Sequence, residues 1–239
     1  MTGPANPPPP PNDPNPQKDP STASTPSPNT PPPAAARLKA AIAAERRDLA
    51  ALLADLRADQ WDAPSLCAGW RVREVAAHMS MGFRYSLPRV GLELLKSGGN
   101  LHRTTDRLAR ADAAALSTHE IAAALADNAE HPWKPPGGRT AGLGHDVVHG
   151  LDITVALGLD RTVPEDRLRI LLDAISPRGV KFFGVDLTGV HLRADDLDWS
   201  YGTGTPLTGS GQDLLLVAFG RRLPPGRLRG EHRDRFVTG

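Results

Sequence analysis

The stretch from Ala34 to Leu56, AAARLKAAIAAERRDLAALLADL, constrains the fold most, because Leu38, Ile42, Leu49, Leu52, Leu53 and Leu56 recur at three- and four-residue steps among strong helix formers. One long helix with a single apolar stripe must bury that stripe, so a helical assembly is expected to follow. After a loop broken by Pro64 and Gly69, a second helix is predicted from Trp70 or Arg71, with Val72, Val75, Met79, Phe83, Leu87 and Val90 as its stripe. Pro88 should kink or end it. SGGN closes this region, and the residues after it read as a polar stretch. STHEIAAALADNAE gives a third helix, with Ser117 or Thr118 as N-cap and Glu120 at its positive end. HPWKPPGG is a break, and a fourth helix runs from about Thr140 to Leu157, stopping at Gly158. PEDRLRILLDAIS opens with Pro164 and closes before Pro177.

Beyond Pro177 the rhythm changes. VKFFGVDLTGVHLRADDLDWSYGTGTPLTGS alternates β-branched and polar residues between glycines, as short strands and hairpins do, and GQDLLLVAFGRRL is a short apolar helix capped near Gly220. The predicted fold class is mainly α: a helical bundle over residues 34–177 followed by a small α+β lobe over residues 178–239. Residues 1–33 are almost wholly Pro, Asn, Ser, Thr and Ala, too poor in apolar side chains to offset the entropy of ordering, so a disordered Pro-rich tail is expected there.

The formal charges nearly balance at +1, which gives no global electrostatic reason for a nucleic-acid or anionic-membrane partner. The basic C-terminal run GRRLPPGRLRGEHRDRFVTG is interrupted by acidic residues and reads as a solvated tail. No signal peptide or membrane span is recognisable, so a cytoplasmic location is expected. A lone Cys67 excludes an internal disulfide and a dithiol centre; it reads as a small buried residue, with a reactive thiol as the alternative.

GHDVVHGLDI places His145 and His149 four residues apart on one helical face, close enough to share a metal ion. A catalytic zinc-type site takes three protein ligands and keeps an open position. His78, mid-helix beside an apolar stripe, is the candidate third ligand, since inward side chains of adjacent bundle helices can meet. Asp152 has two open readings, as acceptor from a ligand's second ring nitrogen or as a surface charge. His102, His119, His131, His191 and His232 lack such pairing, and Trp199 reads as core.

LRADQWDAPSLCAGWRVREVAAHM, DVVHGLDITVALG and VHLRADDLDWSYGTGTPLTGSGQDLLLVAFGRRL, in that order, resemble segments of the mycothiol-dependent maleylpyruvate isomerase family. That family belongs among DinB-like helical bundles and carries a small sterol-carrier-like C-terminal lobe. The resemblance implies a DinB-like four-helix bundle, with His78 and His149 matching metal-binding histidines. His145 departs from the isomerase type, which carries a glutamate there, although three histidines occur in other DinB-like bundles. The neutral third ligand leaves the ion more positive and puts the isomerase reaction itself in question.

The resemblance further implies a divalent metal, zinc being the ion expected, and mycothiol, the sugar thiol of actinobacteria, as cofactor. The metal stabilises a thiolate, which adds to an electrophilic carbon. The partners are then a small-molecule thiol and an electrophilic substrate of open identity. A mycothiol S-transferase, or a non-catalytic metal-stabilised binding or regulatory protein, is the alternative. A diacid substrate would need an arginine clamp. Arg84, six residues after His78, is one candidate; the others are Arg221 and Arg222 at the end of the last helix, where the resemblance points to an arginine without choosing between the pair.

Overall fold

The computed structural model describes Gly3 and residues 33–238; the Pro-rich tail expected over 1–33 lies almost wholly outside the described residues. In chain order the elements are α1 (Ala34–Ala54), α2 (Ala58–Trp61), α3 (Val72–Arg84), α4 (Leu87–Lys96), α5 (Leu101–Ala115), α6 (Thr118–Asp127), α7 (Gly138–Ala156), α8 (Glu165–Leu172) and α9 (Pro177–Phe182). Then come β1 (Val190–Ala194), β2 (Ser200–Gly202), β3 (Thr205–Gly209), α10 (Gly211–Ala218) and a 3-10 turn at Arg233–Arg235. The fold is mainly α with a small α+β part at the C-terminal end.

Helix α1 packs on α6 and α7, and α3 packs on α5, α6 and α7. One core lies among these helices, built from Leu49 and Leu53 of α1, Val75 and Met79 of α3, Ile121 and Leu125 of α6 and Ile153 of α7. A second core joins the other side of α7 (Leu143, Val147, Leu151) to α8, α10 and the sheet through Leu168, Leu192, Leu207 and Leu215. The sheet has the order β2-β1-β3, with β1 antiparallel to β2 and parallel to β3. Helix α7 therefore carries apolar residues on most of its circumference and serves as the shared wall of both cores. Its contact with α1 depends on Gly150, where a Cβ would lie 2.5 Å from a Leu49 methyl.

Two caps follow the sequence closely. Ser117 closes a reciprocal capping box with Glu120, and Ser210 accepts from the Asp213 amide to start α10. Other elements differ from expectation. The second predicted helix ends at Arg84, and Pro88 stands in the first turn of a separate helix, α4, where its missing N–H costs no hydrogen bond. The stretch read as polar after SGGN is the helix α5, whose inward face is made of Thr104, Leu108, Ala109, Asp112 and Ala113 and so lacks a conspicuous apolar stripe. VKFF, read with the strands, lies in and just after the short helix α9, started by Ser176 as its N-cap. No helix among the described residues is long and apolar enough to cross a membrane.

Candidate metal centre

Helix α3 presents His78 and helix α7 presents His145 and His149, all partly buried where the two helices face each other. One nitrogen from each ring lies within 4.8 Å of the others, so the rings expected from the sequence to meet do meet. The ring centroids are 4.8–5.0 Å apart and the planes steeply inclined, which points ring edges inward instead of stacking the faces.

The orientation of each α7 ring is fixed from behind. His145 Nδ1 donates to Asp146 Oδ1 at 2.9 Å, and His149 Nδ1 donates to Asp152 Oδ2 at 3.0 Å. In a neutral imidazole held this way, Nε2 keeps its lone pair for a metal ion. Both carboxylates are fully buried, and each is matched by an arginine. Arg46 Nε donates to Asp146 at 2.9 Å, while Arg221 grips both oxygens of Asp152 through Nε at 2.9 Å and Nη2 at 2.8 Å. Carboxylate–histidine pairs of this kind set the tautomer and basicity of metal-binding imidazoles.

His78 is the exception. Its Nε2 stands 3.1 Å from His145 Nε2, and its buried Nδ1 has no hydrogen-bond partner. With the proton on Nε2, an unpaired acceptor is left buried at Nδ1; with the proton on Nδ1, that N–H is an unpaired buried donor and two lone pairs confront each other at 3.1 Å. A cation between the nitrogens removes the lone-pair clash of the second arrangement. Two nitrogens of a tetrahedral zinc set, each ~2.0–2.1 Å from the ion, are about 3.3 Å apart, close to the separation found here. The donor set thus fits a divalent ion of zinc type.

The electrostatics favour the neutral form of His78 and His149. Burial, followed by the neighbouring His149 and His145, holds the His78 pKa well below its ordinary value. Burial also lowers that of His149, although its bond to Asp152 acts the other way. For Asp152 burial would raise the pKa, but the hydrogen bonds from Arg221 and His149 prevail and keep it far below the usual carboxylate range.

Cys67 lies beside this group, its thiol donating to Asp152 Oδ2 at 3.0 Å, with His149 Nδ1 3.8 Å away. Cys67, His149 and Asp152 form a second set that could in principle share an ion. Asp152 is already bound on both oxygens by Arg221, however, and burial, then the charge of Asp152, pushes the thiol pKa strongly up despite Arg221. The three histidines are the better donor set.

Of the arginines expected to clamp a substrate, Arg221 reaches the site, where its partner is Asp152. Arg84 is turned to Asp112 at 2.6 Å and to the Ser80 hydroxyl at 3.0 Å, and Arg222 donates to the Val237 carbonyl at 2.7 Å. Sequence reasoning missed Asp146 and Arg46. Their signal was present: Glu45 and Arg46 occupy the stripe position between Ile42 and Leu49, where a charge on a core-facing helix asks for a buried partner.

A family model described as the mycothiol maleylpyruvate isomerase N-terminal domain matches residues 42–154, which hold all three histidines. The match covers most of the helical part of the chain, from α1 into α7. Among curated proteins, the chain is 29% identical over 213 residues to two uncharacterized proteins of Mycobacterium tuberculosis, MT0041 of strain CDC 1551 / Oshkosh and Rv0036c of strain ATCC 25618 / H37Rv, with 75% of this chain and 83% of theirs covered. Among solved structures, the mycothiol-dependent maleylpyruvate isomerase and a histidine-to-alanine variant of it share the fold. Each has a TM-score of 0.54 at 14% identity, with 85% of this chain and 94% of that chain covered.

Proposed function

We propose that this protein is a metal-dependent enzyme that uses a small thiol, mycothiol in the reading its family supports, as nucleophile toward an electrophilic carbon. The single observation that carries the reading is the convergence of His78, His145 and His149 with Nε2 atoms of His78 and His145 3.1 Å apart. These three residues would hold the ion, which when bound lowers the pKa of a thiol and keeps it as thiolate. Three protein ligands leave room for one exogenous donor, as catalytic sites of this type require.

The chain's own groups do the rest. Asp146 and Asp152 keep the α7 imidazoles neutral at Nε2 and oriented, with Arg46 and Arg221 holding the carboxylates in turn; Arg221 is a positioning residue in this scheme. Cys67 stays protonated and hydrogen-bonded to Asp152, so the nucleophilic sulfur is supplied from outside. Trp70 and Trp133, whose rings lie 5.3 Å from His78 and 5.4 Å from His145, limit water at the site. The thiolate sulfur forms a bond to carbon. In isomerisation that C–S bond breaks again after rotation, with no atoms gained or lost; in S-transfer it persists, and the thiol proton leaves with the departing group.

The test is a titration of the cobalt-substituted protein with a cysteine-type thiol, followed by visible spectroscopy. A saturable sulfur-to-metal charge-transfer band is expected. A spectrum indifferent to thiol would instead support the non-catalytic, metal-stabilised reading.

A further inference from the structure

We infer that Cys67 is a positioning residue of the histidine cluster: its thiol competes with His149 for Asp152 and thereby limits how strongly that imidazole binds an ion. The inference rests on the metal-dependent reading above and deepens it, by naming what sets the donor strength of one ligand.

Three donors converge on one oxygen. Asp152 Oδ2 accepts from His149 Nδ1 at 3.0 Å, from Cys67 Sγ at 3.0 Å and from Arg221 Nη2 at 2.8 Å, while Oδ1 takes Arg221 Nε at 2.9 Å. A carboxylate oxygen offers two lone-pair directions, so the three donors on Oδ2 must share them. Arg221 is held by both oxygens, which leaves the thiol and the imidazole to divide the remainder. In the other relay nothing is divided: His145 Nδ1 has Oδ1 of Asp146 to itself, and Arg46 takes Oδ2.

The sulfur is held in place by its own loop. The Leu66 N–H donates to the Asp152 carbonyl at 3.0 Å, so main chain and side chain of the loop are fastened to the same residue of α7. The loop is also closed on itself: Ser65 Oγ donates to the Trp70 carbonyl at 2.9 Å and accepts from the Cys67 N–H at 3.1 Å, and Gly69 turns the chain with a φ of 78°. Trp70, after that turn, leans on His78 and is tied to Asp106 at 2.7 Å. Burial, then the charge of Asp152, keeps the proton on the sulfur, so the thiol stays a donor.

A carboxylate that accepts from the far nitrogen of a metal-binding imidazole raises the basicity of that ring. His149 receives only part of this support, and removing the sulfur returns the rest. Truncating a residue beside a metal site for packing alone loosens the site and weakens the ion. Here the truncation should tighten it, and the sign separates positioning from packing.

The test compares the full-length protein with Cys67→Ala and Cys67→Ser. Zinc affinity, read by competition with a chromophoric chelator, should rise about three-fold or more in Cys67→Ala, a fraction of the about 10–100-fold that a whole supporting carboxylate commands. Cys67→Ser keeps a donor and should stay near the wild-type affinity. In the metal-free proteins, isotope-labelled at histidine and read by nitrogen NMR, the His149 Nδ1 resonance should move downfield in Cys67→Ala while that of His145 holds still. An unmoved His149 resonance, or zinc bound by Cys67→Ala no more tightly than by wild type, overturns the inference. A wild type that takes up no zinc refutes the metal-dependent reading, and the nitrogen resonance of the metal-free protein then decides on Cys67 by itself.

Discussion

Behind His145 stand Asp146 and Arg46; behind His149 stand Asp152 and Arg221. The chemistry of the two relays is the same, but their origins are not. Arg46 comes from α1, has no exposed side-chain surface and ties down the carbonyls of residues 128, 129, 131 and 133. Arg221 comes from the segment after α10, keeps 18% of its side chain exposed and shares Asp152 with Cys67. One relay is built into the helical assembly and fixes the loop before α7. The other is delivered from the far end of the chain, by the segment that follows α10.

The comparison is sharpest under mutation of the arginines. Arg46→Ala leaves Asp146 buried without its charge partner and removes a donor from four carbonyls, which should cost about 3–5 kcal/mol, with the midpoint of urea unfolding as the measurement. Arg221→Ala should cost distinctly less, since Asp152 keeps the hydrogen bonds from His149 and Cys67. Equal losses would show that the two relays are structurally equivalent.

Next in size are effects on the ion. Asp152→Asn and Asp146→Asn should each weaken zinc binding by about 10–100-fold, because each removes the anion that raises imidazole basicity. Arg221→Ala should weaken it through the same path while leaving the circular dichroism spectrum intact. Unchanged zinc affinity in all three variants would reduce the relays to packing.

The smallest effect expected is on pH dependence. In the metal-free protein the pKa values of His78 and His149 are depressed, so below about pH 6.5 the unfolded chain takes up protons that the folded chain refuses. Stability should therefore hold above that pH and decline as pH falls below it, with Asp152 adding to the loss only at far lower pH. The decline should shrink in His78→Phe. A profile flat between pH 7 and 5 would contradict neutral, buried rings.

How much of this was legible in the sequence depends on how local the cause is. The four-residue spacing of His145 and His149 and the Ser117 cap are local, and both read directly. Helix α5 was not legible, because its inner face sets a single leucine, Leu108, among alanines, a threonine and an aspartate paired with Arg84. The partnership of Arg46 with Asp146, 100 residues apart, left only the trace of a charge in an apolar stripe. Arg221 and Arg222 are neighbours of the same type, and only the direction in which the chain leaves α10 turns one toward Asp152 and the other toward Val237.

The central claim, that three imidazoles from two helices form one metal site, is tested most directly by zinc stoichiometry. Wild-type protein, dialysed against micromolar zinc near neutral pH, should retain about one ion per chain. His78→Ala, His145→Ala and His149→Ala should each lose it while keeping their helical content, and His145→Glu should keep it, since a carboxylate is also a zinc ligand. Retention of zinc by His78→Ala, or its absence from the wild type with zinc, manganese or nickel supplied, would contradict the account.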